Sequence, residues 1–202
     1  MDPQELMRAL QIARNRHTSG GDMSYTIEKD WITKAGLRAV VVIVRASGCA
    51  WRCGYVEVPK DHPLYGVEHD RPTSKIPYEF VEKVKLGKKS PILVLTAGVG
   101  ALEGEELRRS PDVLFDVHGG LTYSGPGSDG YPVESDGWWF GFDCAHFNDA
   151  YIECPPNYPQ FPGAKVRSLE YVVEECERLA QQLVDFAHQL IRHEGEAKEY
   201  SD

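Results

Sequence analysis

The sequence has no hydrophobic run long enough to cross a membrane. Its longest unbroken aliphatic stretch, residues 39–44, has six residues, whereas a transmembrane helix needs about 20. The first eight residues place Asp2 and Glu5 before the first basic side chain, Arg8, and hold no apolar core of the length that a secretory signal needs. We therefore expect a cytoplasmic protein with no membrane partner.

Clustered positive charge is also scarce. The chain has 22 Lys and Arg against 31 Asp and Glu, for a net charge of −9. Most of the acidity lies in the second half of the chain, after residue 101. Proteins that bind nucleic acid neutralise phosphates with grouped Lys and Arg side chains. The charge balance therefore argues against nucleic acid as a partner.

A disulfide framework is not expected either. The five cysteines are an odd number in a chain without an export signal, a pattern typical of reduced thiols. Cys49 and Cys53 could join Cys144 or Cys154 around zinc, but two buried structural thiols are the simpler interpretation of this spacing.

The composition is that of a folded domain. The 202 residues are 42% hydrophobic and 26% charged, which predicts one domain over residues 1–202. Apolar residues spaced among polar ones over residues 3–16 predict a short N-terminal helix, so that residues 1–20 form a helical extension. We expect the tail, residues 195–202, to fray.

Hydrophobic patterning predicts about six strands and a long helix. Residues 39–45 are the strongest strand candidate, because their β-branched side chains are apolar on both faces, as in a central strand. From residue 168 to about 193, apolar residues recur every three or four positions with polar residues opposite, which predicts an amphipathic helix. The other predicted strands cover residues 25–32, 55–58, 92–96, 113–117 and 138–142.

The order of these elements predicts the fold class. Strands and helices do not alternate as they do around a parallel sheet, so we expect an α+β fold with a mainly antiparallel sheet. The short N-terminal helix precedes this sheet, and the long C-terminal helix should pack on one of its faces.

Two polar and aromatic segments, residues 115–125 and 137–149, hold the candidate site. Asp116 and His118 are two positions apart, so in a strand both would point to the same face. Asp143 and His146 follow the next predicted strand, where a turn could bring them to the first pair. The expected ligand-binding residues are acids, histidines, glycines that allow close approach, and aromatic walls: Tyr55, His62, Asp116, His118, Gly119, Gly120, Tyr123, Trp138, Trp139, Asp143, His146 and Asp149.

Four interpretations of this cluster stay open. In the first, the acids and histidines are structural groups that satisfy loop amides. In the second, His118, His146, Asp116 and Asp143 hold a catalytic divalent metal, although no established metal motif is present. In the third, Cys144 is a nucleophile beside a histidine and an acid. In the fourth, a preformed pocket binds a polar ligand without transforming it.

The chain resembles an uncharacterised family associated with bacteriophages and prophages. The resemblance rests on five strings, of which Asp-Val-His-Gly-Gly at residues 116–120 is the most specific. The others are residues 54–56, 62–66, 138–146 and 171–176, so that the similarity spans about residues 50 to 185. The family implies no established activity. It does imply a phage setting, where small proteins in the host cytoplasm counter defence by sequestering or degrading nucleotide-derived immune signals.

Two functions therefore remain as expectations. One is a binding protein whose pocket captures a small polar or nucleotide-like ligand. The resemblance to the phage-borne family adds the expectation that this ligand is an immune signal, which the protein sequesters. The alternative is a metal-dependent hydrolase that acts on a similar substrate with the same Asp and His cluster. The sequence identifies neither the ligand nor the oligomeric state, and a divalent metal is expected only under the alternative.

Overall fold

A computed structural model describes residues 23–77 and 109–199, with side chains to residue 193. The predicted N-terminal helix and the predicted strand at residues 92–96 lie outside the described residues. Within them, no helix combines the length and the apolar character that a membrane span requires.

The described residues form one antiparallel sheet of five strands and a long C-terminal helix, which confirms the α+β prediction in outline. The elements are β1 (Ser24–Ile32), β2 (Arg38–Ala46), β3 (Cys49–Val58), α1 (Pro111–Leu114), β4 (Tyr123–Pro126), β5 (Trp138–Asp143) and α2 (Leu169–Glu199). The strands lie in the order β1-β2-β3-β5-β4. The one-turn helix α1 precedes β4, and α2 follows β5.

The strand β2 lies in the interior of the sheet, between β1 and β3, as its composition predicts. It pairs with β1 on one side and with β3 on the other, and Val40, Val41 and Val42 have no exposed surface. A strand covered on both faces gains burial from every side chain, which is why a continuous run of β-branched residues is stable here.

The helix α2 packs on one face of the sheet. Its fully buried residues Cys176, Leu179 and Leu183 belong to the same core as Phe142 of β5. Gly54 of β3 permits the close approach, because a Cβ at that position would lie 2.7 Å from the Cys176 sulfur and 2.5 Å from the Phe142 ring. The predicted packing of the C-terminal helix on one face is therefore present.

The opposite face of the sheet carries a separate aromatic core. Tyr55 and Trp139 are buried there among valines of β2, and Tyr123 and Tyr131 pack against them. The hydroxyl groups of Tyr55 and Tyr131 are hydrogen-bonded at 2.5 Å, and the rings of Tyr55 and Tyr123 meet edge to face. The sheet thus separates these aromatic residues from the face that α2 covers.

The predicted strand at residues 113–117 is wrong. Proline lacks a backbone donor and suits the first turn of a helix, and Pro111 begins α1, which ends at Leu114. The residues that follow bond to side chains of α2 instead of to a strand. The Asp116 amide donates to Gln182 Oε1 and the His118 amide to Glu175 Oε2, each at 2.8 Å.

Candidate functional site

The centre of the candidate site is a hydrogen bond between His118 and Asp149. His118 Nε2 lies 2.7 Å from Asp149 Oδ2, and the two side chains are 10% and 1% exposed. Arg167 Nε donates to the second carboxylate oxygen at 2.6 Å, and the His146 amide donates to Oδ2 at 3.0 Å. A nearly fully buried carboxylate is therefore held by three donors.

These contacts keep Asp149 ionised. Burial by itself raises the pKa of a carboxylic acid, but the hydrogen bonds from His118, Arg167 and the His146 amide outweigh it and hold the pKa of Asp149 below its ordinary value. The position of Arg167 is fixed in turn, because Arg52 Nη1 donates to its carbonyl at 2.7 Å while Glu28 binds the rest of the Arg52 guanidinium.

The charge on Asp149 decides which nitrogen of His118 carries the proton. A carboxylate only accepts, so Nε2 must donate, and in the neutral ring Nδ1 is then an acceptor. Nδ1 lies 3.0 Å from the hydroxyl of Tyr171 in the first turn of α2. In this tautomer Tyr171 donates to His118, and the three side chains form one directed chain of hydrogen bonds.

His146 is adjacent to His118, as the sequence predicts. The two ring centres are 5.5 Å apart, well inside the distance over which both could contact one small ligand. Nε2 of His146 is buried, has no hydrogen-bond partner among the described residues, and lies 3.7 Å from Asp143 Oδ1. Since 27% of the side chain is exposed, the exposed atoms are others than Nε2.

Gly119 makes room for the His146 ring. Its φ is +66°, and a Cβ built on it would lie 1.8 Å from His146 Nε2. Any other residue is disfavoured here twice, by backbone conformation and by space. Gly120 also has a positive φ, +84°, but a Cβ there would meet nothing within 4 Å. Gly120 is thus a turn residue, its amide bonded to the Val117 carbonyl.

Asp116 lies away from this centre. Its side chain is 65% exposed and its carboxylate is 3.6 Å from Arg178. The expectation that Asp116 and His118 share a strand face does not hold, because residues 115–118 are not in a strand. Asp143 is closer, accepting from the Ala145 amide and facing His146.

The remaining predicted residues do not line a common pocket with His118. Tyr55, Tyr123 and Trp139 lie in the aromatic core on the opposite face of the sheet. Trp138 packs on the α2 side and donates to the Val67 carbonyl. His62 is buried, with Nδ1 accepting from the Leu64 amide and Nε2 bonded to the Leu183 carbonyl. Its contacts are those of a structural residue.

The described residues favour neither a metal centre nor a cysteine nucleophile. Among them, no three His, Cys, Asp or Glu side chains are grouped as metal ligands would be. The predicted set of His118, His146, Asp116 and Asp143 is divided, since Asp116 faces Arg178. Burial raises the pKa of the Cys144 thiol far above its ordinary value, which opposes formation of the nucleophilic thiolate.

Sequence reasoning missed the aromatic side chains that do surround His146. They form a shallow surface feature, here called the aromatic depression, lined by His146, Phe147, Tyr151, Tyr158 and Phe161. Phe147 is 63% exposed, and its ring centre is 4.0 Å from that of Phe161. The depression encloses only about 20 Å³, room for about one water molecule, so a ligand would lie across it.

A larger cleft of about 290 Å³ lies where the β2–β3 turn meets residue 153. Its charged side chains are Arg45 and Glu153, and none of the predicted site residues lines it.

Comparisons with known proteins returned no match: no family model fits the sequence, and no curated protein or solved structure is similar to the chain.

Proposed function

We propose that the protein binds a small ligand that combines a flat ring with polar groups, and that the aromatic depression is the binding surface. The observation that carries this proposal is the exposed Phe147 ring, which packs against the half-buried Phe161 ring beside His146. A large aromatic ring left in water is unfavourable, and such patches are typical of binding surfaces. Bases and other flat rings stack on aromatic side chains with little dependence on sequence or substituent.

Side chains beside the aromatic rings can form hydrogen bonds with the polar part of the ligand. His146, whose side chain is 27% exposed, and Asp149 both line the depression, and the Asp149 carboxylate is neutralised by Arg167 and accepts a hydrogen bond from His118. A ligand therefore meets an aromatic surface with a hydrogen-bonding imidazole at its rim. A nucleotide derivative has this combination of ring and polar groups.

The resemblance to a phage-borne family makes nucleotide-derived immune signals the first ligands to test. Under that proposal the protein sequesters the signal in the host cell. The supporting feature is again the depression, which presents aromatic rings for stacking. Among the described residues, the side chains that would bind the metal of a metal-dependent hydrolase are not clustered.

The test is calorimetric titration of the protein with ADP-ribose and with cyclic mono- and dinucleotides. We expect binding by at least one of these probes, with the probe recovered intact after the protein is denatured. Phe147→Ala and Phe161→Ala should each weaken binding by about 5- to 150-fold, the equivalent of one lost stacking contact of about 1–3 kcal/mol.

Ile191→Ala is the matched control. Ile191 is as exposed as Phe147, at 64%, but lies on α2 away from the residues of the depression, so its removal should leave the affinity unchanged. Equal affinities of the wild type and both phenylalanine variants would refute the assignment of the surface. Binding of none of the probes would refute the ligand class.

A further inference from the structure

Tyr171, His118 and Asp149 have the arrangement that activates a nucleophile. A hydroxyl is made reactive when a base within hydrogen-bonding distance can remove its proton and a third group orients that base. Here the hydroxyl of Tyr171 is 3.0 Å from His118 Nδ1, and Asp149 is 2.7 Å from Nε2. Tyrosine is among the side chains that form covalent intermediates in enzymes.

We propose that Tyr171 is a nucleophile toward phosphoryl centres, with His118 as its general base and Asp149 as the positioning residue. The proposal goes beyond ligand binding at the aromatic depression and does not depend on it. Asp149 fixes the proton on Nε2 and so leaves the Nδ1 lone pair for the phenol. When Nδ1 takes that proton, the resulting imidazolium faces a buried carboxylate that stabilises it.

The base is needed because the phenol does not ionise by itself near neutral pH. Burial, with a smaller contribution from the nearby Glu175 carboxylate, raises the pKa of Tyr171 above its ordinary value. The neutral hydroxyl is thus the resting form. Glu175 is held by Arg178 Nη2 at 2.5 Å and by the His118 amide, so it does not compete for the Tyr171 proton.

Arg167 favours a phosphoryl group as the partner of Tyr171. Its guanidinium carbon lies 4.9 Å from the centre of the Tyr171 ring, and its Nε is used by Asp149. Among the residues that the structure describes, its terminal nitrogens make no hydrogen bond. Two parallel N–H groups beside a nucleophile match the oxygens of a phosphoryl group, on which negative charge grows during attack.

The reaction balances without a metal or a redox partner. The Tyr171 oxygen forms a bond to phosphorus, the bond from phosphorus to the leaving oxygen breaks, and His118 passes the phenol proton to that oxygen. Water then attacks the phosphotyrosine, His118 takes a proton from the water, and the tyrosine oxygen leaves and is reprotonated. The substrate class is therefore a phosphate monoester, a class to which none of the probes of the binding test belongs.

A phosphoryl fluoride tests the first half of this reaction. With diisopropyl fluorophosphate, the Tyr171 oxygen forms the bond to phosphorus, fluoride leaves and His118 receives the proton. Intact-mass spectrometry gives the rate of adduct formation, and peptide mapping gives its position. We expect one fast adduct at Tyr171, and a loss of at least about 100-fold in rate in His118→Gln, the usual scale of general-base catalysis.

Three controls separate this chemistry from folding. His118→Gln keeps a hydrogen-bonding side chain, and circular dichroism confirms that each variant is folded. Addition of free imidazole to His118→Ala should restore part of the labelling rate, which a structural defect would not allow. Tyr65→Phe removes a tyrosine whose hydroxyl bonds to the Asp136 carbonyl, and it should label like the wild type.

The positioning role of Asp149 has a spectroscopic readout. Nitrogen–proton NMR of the imidazole should show the proton of His118 on Nε2 in the wild type. In Asp149→Asn that preference should be lost together with fast labelling. Labelling spread evenly over several tyrosines, or an unchanged rate at Tyr171 in folded His118→Gln, would overturn the proposal.

Discussion

The contact between Gly119 and His146 permits a stringent test of the site geometry. Gly119→Ala places a methyl group where the His146 ring now lies, 1.8 Å from Nε2, 2.1 Å from Cδ2 and 2.6 Å from Cε1. All three nearest atoms belong to the ring, so only a displaced ring can admit the methyl group. The substitution should therefore both destabilise the fold and move His146.

Its cost can be divided into two parts. The left-handed backbone conformation costs a non-glycine residue about 1–2 kcal/mol, and forcing an extra methyl group into a packed site costs about 1–3 kcal/mol more. Gly66→Ala isolates the first part, because Gly66 has a φ of +75° and no atom within 4 Å of its would-be Cβ. We expect Gly119→Ala to lose about 2–5 kcal/mol of unfolding free energy and Gly66→Ala about 1–2 kcal/mol.

A double-mutant cycle assigns the difference to the ring. In a His146→Ala background the clash is absent, so Gly119→Ala should cost only the backbone part, and the coupling energy should be about 1–3 kcal/mol. Urea unfolding followed by circular dichroism measures all four proteins. If Gly119→Ala costs the same in both backgrounds, or no more than Gly66→Ala, the His146 ring does not pack on Gly119 and the site has another geometry.

The remaining predictions concern the core and its response to pH. Leu183→Ala should lose about 2–5 kcal/mol in urea unfolding, because Leu183 lies fully buried on the face of α2 that packs on the sheet. Gln189→Ala, on the exposed face of α2, should stay within about 0.5 kcal/mol of the wild type, and equal unfolding midpoints for the two variants would contradict the packing. Burial lowers the pKa of His62, and the hydrogen bond to the Leu183 carbonyl offsets only part of this effect. The stability that neutral His62 contributes is therefore complete above about pH 6.5, and it is lost as the pH falls toward the lower pKa of His62 in the folded protein. Unfolding at a series of pH values should show this loss in the wild type and not in His62→Gln. Asp149 also has a lowered pKa, so its contribution is complete above about pH 4 and is lost under more acidic conditions; Asp149→Asn should flatten that limb of the curve.

The framework of the fold could be predicted because its signals are local. A β-branched run indicated the central strand β2, and the three-to-four periodicity after residue 168 indicated α2. The strand at residues 113–117 was wrong because Pro111 begins a helical turn. β4 was missed because its sequence, Tyr-Ser-Gly-Pro, has turn residues and no alternating apolar pattern. It is a strand because it pairs with β5 at the edge of the sheet.

The site could be predicted only in part. The proximity of His118 and His146 is confirmed. The placement of Asp116 beside them is wrong, because it requires a strand at residues 115–118 and these residues are not in a strand. The aromatic walls were placed wrongly, because alternation along β3 and β5 sends Tyr55 and Trp139 to the face opposite α2. Arg167 reaches Asp149 from 18 positions further along the chain, and Tyr171 reaches His118 across 53 positions. No local sequence pattern indicates contacts between residues that far apart in the chain.

One signal for the missing partners was nevertheless present in the helix. Tyr171, Glu175, Arg178 and Gln182 follow one another at intervals of four, three and four residues, so they share one face of α2. A polar stripe on an amphipathic helix ordinarily faces water. Glu175, however, is buried, and all four of these side chains contact Asp116 or His118, Arg178 through an ion pair of 3.6 Å with Asp116.

This stripe explains how His118 is held in place without a strand. The apolar face of α2 packs on the sheet, and the adjacent polar face supplies hydrogen-bond partners for a segment whose amides have no neighbouring strand. The His118 amide is partly buried, and a buried donor left unpaired costs about 1–3 kcal/mol, so Glu175 stabilises the segment that brings His118 to Asp149. Gln182 holds the Asp116 backbone on the exposed side of the same segment.

Glu175→Ala should therefore displace His118 and slow the labelling of Tyr171, although Glu175 takes no part in the proton transfer. Glu174→Ala, one position away and exposed, is the control that should change neither. A labelling rate in Glu175→Ala equal to that of the control would show that Asp149 alone holds the imidazole.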